Sequence, residues 1–323
     1  MQTSFIAGIS GQDGAYLAKL LLEQGYQVIG LLRKNVDQNL SKLEYLEIND
    51  KIKYEICDLT DLNELSELLH FYHPSEFYNL AAQSSVARSF GDPLGTFDFN
   101  IKSVSNILEA IRLESPTTKF YQASSSEMFG HIQSLPIHEE SILNPLSPYA
   151  ISKASAHLMV KCYRQSYGLF ACSGILFNHE SFLRGDDFFI KKIIQGAIRI
   201  ANGQQKELRV GNLNVKRDFG FAPDYVKAMH LMLQQNTASD FVICSGKSLF
   251  LQEIVEYIFN SFNIPFDRII VDKDLFRPSE IIDIYGDNSK AKSILKWEYD
   301  KTFYQVLDIL ISQELNESQK NNI

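Results

Sequence analysis

The chain has 323 residues, of which 45% are hydrophobic and 22% charged, and its formal net charge is −8. That length is enough for one large domain or two modest ones with real cores. No run of Lys or Arg exceeds two residues, which argues against a nucleic-acid-binding protein, and no apolar run reaches the roughly 18 residues of a membrane-spanning helix. The four cysteines form no C-x-x-C pair and a strand begins almost at the N-terminus, which predicts a reduced cytoplasmic protein without a signal peptide.

The first half of the chain alternates short apolar runs with segments of helical spacing. Strands are predicted at residues 5–7, 27–32, 53–57, 76–80, 119–122 and 170–177, and helices at 15–23, 61–71, 101–113 and 149–167. Strict alternation of this kind predicts an α/β fold, a Rossmann-type doubly wound parallel sheet with helices on both faces and right-handed crossovers.

After about residue 178 the alternation loosens. Helices are predicted at 189–201, 224–233 and 251–262, and strands at 208–210, 240–244 and 268–271, with the strand at 240–244 returning to the main sheet. We therefore predict a nucleotide-binding domain over residues 1–177 with returning segments near 219–246. A smaller, interleaved C-terminal substrate-binding lobe is expected over 178–315, followed by a polar tail at 316–323.

A glycine-rich turn, Gly8-Ile-Ser-Gly11-Gln-Asp-Gly14, follows the first strand and opens the first helix. Gly8 permits a tight turn, Gly11 lets a phosphate approach the backbone, and Gly14 lets helix and strand pack closely. The free N–H groups of a helix N-terminus attract a pyrophosphate. The turn therefore predicts a dinucleotide cofactor.

The end of the second strand indicates which dinucleotide. NAD-binding proteins usually carry an Asp or Glu there, whereas this chain has Arg33-Lys34, two cations suited to the 2′-phosphate of NADP. We predict NADP as the cofactor. Residues at the ends of the next two strands are expected to lie along it: Asp58, Leu59, Leu80, Ala81 and Ala82.

Tyr149 and Lys153 stand four residues apart at the start of a predicted helix, so their side chains share one face. A lysine ammonium beside the phenol is expected to lower the pKa of Tyr149 from about 10, so that the tyrosine can take a proton from a sugar hydroxyl during hydride transfer. Ser125, at the end of the fifth strand, can hold the reacting oxygen beside it.

Glu127 narrows the predicted reaction. A dehydrogenase or C4 epimerase needs no carboxylate there, whereas a 4,6-dehydratase does. Oxidation at C4 makes the C5 proton acidic, and Glu127 can remove it and assist departure of the C6 hydroxyl as water before hydride returns to C6. Ser125, Glu127, Tyr149 and Lys153 are the predicted catalytic residues.

Several motifs together resemble the GDP-mannose 4,6-dehydratases, over residues from about 4 to about 295. They are the Gly8–Gly14 turn, Phe-Tyr-Gln-Ala-Ser at 120–124 running into Glu127, Ser-Pro-Tyr-Ala at 147–150, Gly-Ile-Leu-Phe-Asn-His-Glu-Ser at 174–181, and Arg-Asp-Phe-Gly at 217–220. The resemblance implies an NADP-dependent lyase with a GDP-sugar substrate. It also implies that Gln12, Asp13, His179 and Arg184 contact the cofactor, and that Asn178, Lys192, Arg217, Arg277 and Glu280 contact the nucleotide and its pyrophosphate.

The chain departs from the family where Ser84-Ser85-Val86 replaces a usual Ser-His-Val, and in lacking one arginine near Arg184. Serine for histidine near the sugar would enlarge the pocket and admit an acetamido group at C2. The chain thus also resembles the GDP-N-acetylglucosamine 4,6-dehydratases of bacterial legionaminic acid synthesis. We predict that substrate, with GDP-mannose as the alternative, and expect Ser84 and Ser85 to contact the sugar.

Two other classes of protein stay open from the sequence. A nucleotide-sugar C4 reductase or epimerase would keep Ser125, Tyr149 and Lys153 without needing Glu127, and a non-catalytic NADP-sensing protein could keep the glycine turn alone. The histidines show no metal-ligand spacing, so no metal site is predicted. The resemblance implies a homo-oligomer, a dimer or a tetramer, with the helices at 101–113 and 149–167 as candidate interface.

Overall fold

The computed structural model describes residues 2–34 and 39–320. Its strands, in chain order, are β1 Thr3–Ala7, β2 Gln27–Leu32, β3 Lys53–Ile56, β4 Glu76–Asn79, β5 Lys119–Ser125, β6 Ala171–Leu176, β7 Asn178–Glu180, β8 Leu208–Val210, β9 Lys216–Phe221, β10 Phe241–Ile243, β11 Ser248–Phe250 and β12 Ile269–Val271. Seven of them form one sheet in the order β3-β2-β1-β4-β5-β6-β10, and every neighbouring pair is parallel. The predicted α/β Rossmann-type fold is confirmed.

The helices are α1 Gln12–Glu23, α2 Ser41–Tyr45, α3 Leu62–Tyr72, α4 Val86–Gly91, α5 Pro93–Glu114, α6 Pro148–Tyr167, α7 Phe189–Ala201, α8 Ala222–Leu233, α9 Leu251–Ser261 and α10 Phe303–Lys320. Helices α3, α5 and α6 pack together on one face of the large sheet, and α1 packs with α8 on the other. In the described ranges no helix combines the length and apolar character that crossing a membrane requires.

Both faces of the large sheet are buried because successive residues of a strand point to opposite sides. In β1, Phe5 and Ala7 pack on the α3–α5–α6 side, while Ile6 between them packs on the α1–α8 side, and none of the three is accessible to solvent. A strand buried on both faces reads as a continuous apolar run, which is why these strands could be predicted from the sequence.

The C-terminal lobe has its own core between α7, α9 and α10, built from Ile193, Ile258 and Leu307 with their neighbours. Two small sheets frame it, β11-β9-β7 and β12-β8. The chain passes from the C-terminal lobe back to the large sheet and out again. Strand β10 follows β9 and precedes β11 in sequence, but it pairs with β6 in the large sheet.

The structure departs from the predicted elements at several places. Helix α5 begins two turns before residue 101, because Asp92 caps it by accepting from the Gly95 N–H at 2.9 Å and Pro93 fits the first turn. Strand β5 continues to Ser125, and β7, β9 and β11 were not predicted. Helix α10 extends through residue 320, so the predicted polar tail is helical from 316 to 320, and residues 321–323 lie outside the described ranges.

Candidate active site

The glycine-rich turn lies between β1 and α1 against the end of β4. Gly8 has a φ of +85°, and a Cβ there would lie 2.8 Å from the Ala81 nitrogen. A Cβ on Gly14 would lie 2.3 Å from the Gly8 carbonyl oxygen, so only glycine lets α1 start this close to the strand. Gly11 caps α1 without any side-chain hydrogen bond. The first-turn N–H groups thus form a cradle that fits a pyrophosphate.

A polar network behind this turn ties it to β7. His179 Nε2 lies 2.9 Å from Asp13 Oδ2, and its Nδ1 lies 2.7 Å from the Phe177 carbonyl oxygen. Gln12 donates to the His179 carbonyl at 3.2 Å and accepts from the Ser181 hydroxyl at 2.8 Å. Two sequence motifs 166 positions apart therefore meet in the structure, and the contacts of Gln12, Asp13 and His179 with a cofactor stay predictions.

The Asp13–His179 contact favours the charged form of both groups. Burial disfavours the charge on His179, but the Asp13 carboxylate outweighs it and raises the pKa of His179. Burial acts against the Asp13 charge as well, and the imidazolium nevertheless lowers the pKa of Asp13. The imidazole ring also stacks on Tyr225 from α8, with ring centroids 4.8 Å apart.

The two predicted phosphate-binding cations differ in their surroundings. Lys34 pairs with Glu64, and the carboxylates of Asp58 and Asp61 add to the negative field around it. Arg33 is exposed, with its guanidinium 5.7 Å from the Phe99 ring centroid.

The other predicted cofactor residues surround the same edge. The Asp58 carboxylate accepts from the backbone and hydroxyl of Thr60, at 2.9 and 2.8 Å, and caps the turn before α3. Leu59 is buried in the core, so it can offer a ligand little besides its backbone. Leu80, Ala81 and Ala82 are half-buried behind the glycine turn.

Tyr149 and Lys153 lie in the first turns of α6, which begins where the Ser147 hydroxyl accepts from the Ala150 N–H at 3.1 Å. Both side chains are buried, and Ser125, at the end of β5, lies close enough to the Tyr149 hydroxyl to oppose the rise of its pKa. Lys153 Nζ donates to the Ala123 carbonyl at 2.8 Å and stands 5.8 Å from the Tyr149 ring centroid. The three predicted residues meet at the carboxyl edge of the sheet.

The expected effect of Lys153 on Tyr149 is wrong for this structure. Burial raises the pKa of Tyr149 to about 12, the hydrogen bond from Ser125 opposes it, and Glu127 adds to the rise. Burial also lowers the pKa of Lys153 to about 8. The reason is that desolvation of two buried groups outweighs the attraction of a lysine bonded to a carbonyl.

Glu127 lies in the 3₁₀ turn Ser126–Phe129 that follows β5, where its backbone N–H donates to the Ser125 hydroxyl at 3.3 Å. Its carboxylate faces the substrate lobe. Arg277 Nη1 lies 4.0 Å from Glu127 Oε1 and 3.9 Å from Glu280 Oε1, and Arg217 Nη2 lies 3.6 Å from the same Glu280 oxygen. Four predicted residues thus form a chain of alternating charge. A cavity of about 340 Å³ opens beside Glu280, between residues 130–135 and 280–283.

Ser85 has a structural contact that the sequence did not indicate. Its hydroxyl caps α4 by accepting from the Arg88 N–H at 3.3 Å, and its own N–H donates to the Gln83 side chain at 2.7 Å. The hydroxyl is directed to a helix backbone, which weakens the idea that it selects the sugar. Ser84 beside it is exposed.

The remaining predicted residues lie in the C-terminal lobe, which forms the substrate side of the site. Asn178 starts β7, and Lys192 is half-buried on α7. Arg184 covers the Phe188 ring at 3.7 Å and lies 3.6 Å from Glu180, whose pKa is raised by burial. Within the described ranges no cluster of three His, Cys, Asp or Glu side chains could hold a metal ion.

Several residues of the site were not singled out from the sequence. Glu180 and Ser181 belong to the recognised motif at 174–181, which was the available signal. Asp218 is buried and accepts from the backbone N–H groups of Ser245 and Gly246, at 2.8 and 2.9 Å, so it fixes β9 beneath Arg217. Nothing in the sequence marked Tyr225 as part of the site, because it belongs to no recognised motif and lies within a predicted helix.

Comparison with known proteins gives the same assignment as the motifs. A family model described as GDP-mannose 4,6 dehydratase matches residues 5–310. The chain belongs to the GDP-mannose 4,6-dehydratase family. It is 40% identical to GDP-mannose 4,6 dehydratase 2 of Arabidopsis thaliana over 99% of this chain and 88% of that protein. It is 38% identical to the GDP-mannose 4,6-dehydratase of Vibrio cholerae, over 99% of this chain and 95% of that protein.

Solved structures with lower identity share the fold of this family member. The dTDP-glucose 4,6-dehydratase DesIV from Streptomyces venezuelae, with NAD and TYD bound, superposes with a TM-score of 0.87 at 20% identity and 96% coverage of both chains. RMD from Pseudomonas aeruginosa, complexed with NADPH, superposes with a TM-score of 0.78 at 24% identity, over 97% of this chain and 98% of that one.

Proposed function

We propose that the protein is a GDP-sugar 4,6-dehydratase that converts GDP-mannose to its 4-keto-6-deoxy product with loss of water. The observation that carries the proposal is the position of Glu127. Its carboxylate follows directly on the Ser125–Tyr149 pair and points toward the arginines of the substrate lobe. A reductase or epimerase has no use for a carboxylate there.

NADP is the proposed cofactor. The cradle at Gly8, Gly11 and Gly14 fits the pyrophosphate, Arg33 and Lys34 supply positive charge for the 2′-phosphate, and the His179 segment lies on the other side of the turn. When bound, the nicotinamide accepts one hydride from the sugar and returns it within the same turnover. Preference for NADP over NAD rests on the cations Arg33 and Lys34, which stand where NAD-binding proteins usually carry an Asp or Glu.

The protein's own residues move the protons. Tyr149 exchanges a proton with the C4 hydroxyl while the neighbouring Ser125 holds that oxygen in place. Glu127 then removes the C5 proton and delivers a proton to the departing C6 hydroxyl, which leaves as water. One carboxyl group can do both because it receives the proton that it later gives away. Burial of Tyr149 and Lys153 excludes bulk water from this end of the site.

The sugar proposed is mannose, which corrects the prediction of N-acetylglucosamine. The relatives compared above are named for GDP-mannose, so the alternative given by the sequence is the better supported one. The argument for an acetamido group depended on Ser85, and that side chain caps α4. Nothing in these comparisons supports membership of the legionaminic acid branch.

The oligomeric state proposed is a homo-oligomer joined through α5 and α6. Both helices carry large apolar side chains in solvent, with Leu94 78%, Leu113 51% and Leu158 55% exposed. Exposed apolar side chains on two adjacent helices suit burial against a second copy. Whether the assembly is a dimer or a tetramer stays a prediction, as does a cytoplasmic location.

Replacing Glu127 with Gln tests the function. We expect the rate of water loss from GDP-mannose, followed by mass spectrometry, to fall about 10²–10⁴-fold, since proton transfer by a positioned group contributes that much. NADP binding should be unchanged because Glu127 lies outside the cofactor network. Glu140→Gln, at an exposed position, is the control and should keep full activity. Interconversion of sugars without loss of water by the unaltered enzyme would contradict the dehydratase proposal.

A further inference from the structure

The ring of Tyr225 covers one face of the His179 imidazole. Tyr225 lies on α8, is completely buried, and stacks on His179 with ring centroids 4.8 Å apart and an angle of 29° between the ring planes. His179 is held within its own plane by two contacts, from Nε2 to Asp13 at 2.9 Å and from Nδ1 to the Phe177 carbonyl at 2.7 Å. Contacts at the two nitrogens still allow the imidazole to tilt about the line that joins them, so the stacked ring is what fixes the tilt.

The space for this ring exists because Gly220 has no side chain. Gly220 on β9 is the register partner of His179 on β7, so the two residues lie side by side. A Cβ on Gly220 would lie 2.2 Å from Tyr225 Cε2 and 2.4 Å from the Tyr225 hydroxyl oxygen, distances at which the atoms overlap. The φ of Gly220 is outside the left-handed region, so its backbone would accept another residue. Glycine is therefore needed at this position to make room for the Tyr225 ring.

Two further aromatic rings hold Tyr225 in place from its edges. Trp297 and Tyr299 each meet it at 85°, with centroids 5.8 and 5.9 Å away, an edge-to-face geometry that is favourable for aromatic pairs. Trp297 Nε1 donates to the Asp224 carbonyl at 2.9 Å, so the aromatic cluster is tied to the first turn of α8. The orientation of the Tyr225 ring is thus fixed by its own surroundings.

The hydroxyl of Tyr225 makes no comparable contribution. Within the described ranges it is buried without a hydrogen-bond partner, and an unpaired buried donor is destabilising. The face of the ring, in contrast, is electron-rich and attracts a cation, and the Asp13 carboxylate favours the charged form of His179. The ring of Tyr225, and not its hydroxyl, is therefore the part that serves His179.

The orientation of His179 bears on the cofactor turn. Its partner Asp13 lies in the first turn of α1, and the His179 carbonyl accepts from the Gln12 side chain at 3.2 Å. Gln12 and Asp13 are the two residues between Gly11 and Gly14, where the N–H groups form the cradle for a pyrophosphate. A tilted imidazole would lose its bond to Asp13 and leave this turn less firmly held.

We propose that Tyr225 is a positioning residue for the cofactor site: its ring holds the His179 imidazole in the plane in which it bonds Asp13, and so keeps the first turn of α1 in the arrangement that receives the NADP pyrophosphate. The proposal rests on the proposed function, since it takes the glycine turn as the NADP site. It also gives β9 two tasks, because Arg217 belongs to the charged groups of the substrate side, whereas Gly220 makes room for the ring that supports the cofactor side.

The cofactor affinity of ring variants tests the proposal. The dissociation constant of NADPH is measured from the change in its fluorescence on binding, and that of GDP by titration calorimetry. Tyr225→Leu removes the ring and should weaken NADPH binding about 3–10-fold, the loss that corresponds to one aromatic contact. Tyr225→Phe keeps the ring and should bind NADPH as the wild type does. GDP affinity should stay unchanged in both variants, because the Tyr225 ring lies on the cofactor side.

Gly220→Ala reaches the same ring from the strand side. The added methyl group would displace the Tyr225 ring, so NADPH affinity should fall as it does in Tyr225→Leu, and this variant carries the test if Tyr225→Leu does not fold. Because both substitutions act through one ring, the double variant should lose no more affinity than Tyr225→Leu alone.

An NMR signal reports the stacking directly. The ring protons of His179 lie over the Tyr225 face and are shielded by its ring current, so their signals should move downfield in Tyr225→Leu and Gly220→Ala but not in Tyr225→Phe. His179→Gln identifies these signals by their loss. Met229→Ala, a large-to-small change at another fully buried position of α8, is the matched control. It should lower the stability and leave both the NADPH affinity and the His179 signals unchanged.

The outcomes separate the positioning role from the proposed function. Wild-type NADPH affinity in Tyr225→Leu would overturn the positioning role, and so would a loss in Tyr225→Phe as large as that in Tyr225→Leu. Equal weakening of NADPH and GDP binding, in Tyr225→Leu and in Met229→Ala alike, would show that Tyr225 only stabilises the fold. If the unaltered protein and its variants bind NADPH as expected but no water is released from GDP-mannose, the proposed dehydratase activity fails and the positioning role stands.

Discussion

The two sides of the cleft are built differently. On the cofactor side, polar groups meet at hydrogen-bonding distance and are buried: Asp13 with His179 at 2.9 Å, Ser181 with Gln12 at 2.8 Å, and Lys153 with the Ala123 carbonyl at 2.8 Å. On the substrate side, the charged groups stand 3.6–4.0 Å apart, from Arg217 through Glu280 and Arg277 to Glu127.

The difference shows which side chains are already fixed in the ligand-free protein: those of the cofactor side. Short buried bonds fix the cofactor side in one arrangement, so binding there costs little reorganisation. The longer ion pairs of the substrate side hold their groups less tightly. Under the proposed function, hydride transfer needs the cofactor and the sugar to be held in one orientation. Product release needs contacts between the protein and the nucleotide that can be broken.

The largest stability effect should come from breaking the Asp13–His179 pair. Asp13→Ala removes the carboxylate that favours the charged form of His179 and the hydrogen bond to its ring, and loss of such a charged hydrogen bond costs about 2–3 kcal/mol. Glu280→Gln should cost only about 1 kcal/mol, because no hydrogen bond is lost and Arg217 keeps its carbonyl acceptors. Denaturant unfolding of the two variants measures the contrast, and equal losses would contradict it.

The same pair predicts a pH dependence. The raised pKa of His179 contributes stability fully below its ordinary value of 6.5, and this is lost as the pH rises through the raised pKa. The lowered pKa of Asp13 contributes stability fully above 3.8, and this is lost as the pH falls through the lowered pKa. The difference in unfolding free energy between wild type and Asp13→Ala should therefore be greatest between these two values.

The sequence predicted the cofactor side in more detail than the substrate side. The glycine turn and the Tyr149–Lys153 pair are local patterns whose spacing alone implies geometry, and each lies where the alternation of strands and helices put it. The contact between Asp13 and His179 joins residues 166 positions apart. Only the family resemblance indicated that both belong to the site.

On the substrate side the sequence could name residues but not their arrangement. Arg277 and Glu127 lie far apart in the chain, and irregular segments around Arg277 carry no periodic pattern that would place it. Helix α4 was missed because its six residues are too few for helical spacing to show, so the capping role of Ser85 was missed with it. The sign of the pKa shift at Tyr149 depended on burial, which the sequence does not measure.

Lys153 should cost the protein stability, in contrast to the buried pair above. Burial lowers the pKa of Lys153 to about 8, so below that pH the folded protein keeps a buried ammonium group. In the unfolded chain the same lysine has its ordinary pKa of 10.5 and stays protonated up to about that pH. The wild-type protein should therefore become more stable as the pH rises from about 8 to 10.5. Lys153→Met should remove this dependence, raise the free energy of unfolding near pH 7 by about 1–3 kcal/mol, and abolish activity.

The control for Lys153 is Lys161→Met, an exposed lysine on the same helix, which should leave the pH dependence unchanged. Thermal unfolding scanned across pH gives the comparison. A Lys153→Met protein that is less stable than wild type at neutral pH would show that the hydrogen bond to Ala123 outweighs the burial of charge.

The smallest effect should come from Ser85, which lies between the two sides. Ser85→Ala removes the N-cap of α4 and should cost about 1 kcal/mol of unfolding free energy, since that is the usual value for such a cap. If the hydroxyl serves the helix, the ratio of GDP-mannose to GDP-N-acetylglucosamine turnover should not change, as measured by mass spectrometry of both products. Ser66→Ala, within α3, serves as the control for a serine that is not a cap. A changed ratio of the two turnover rates at unchanged stability would show that Ser85 contacts the sugar. N-acetylglucosamine would then again be a candidate substrate.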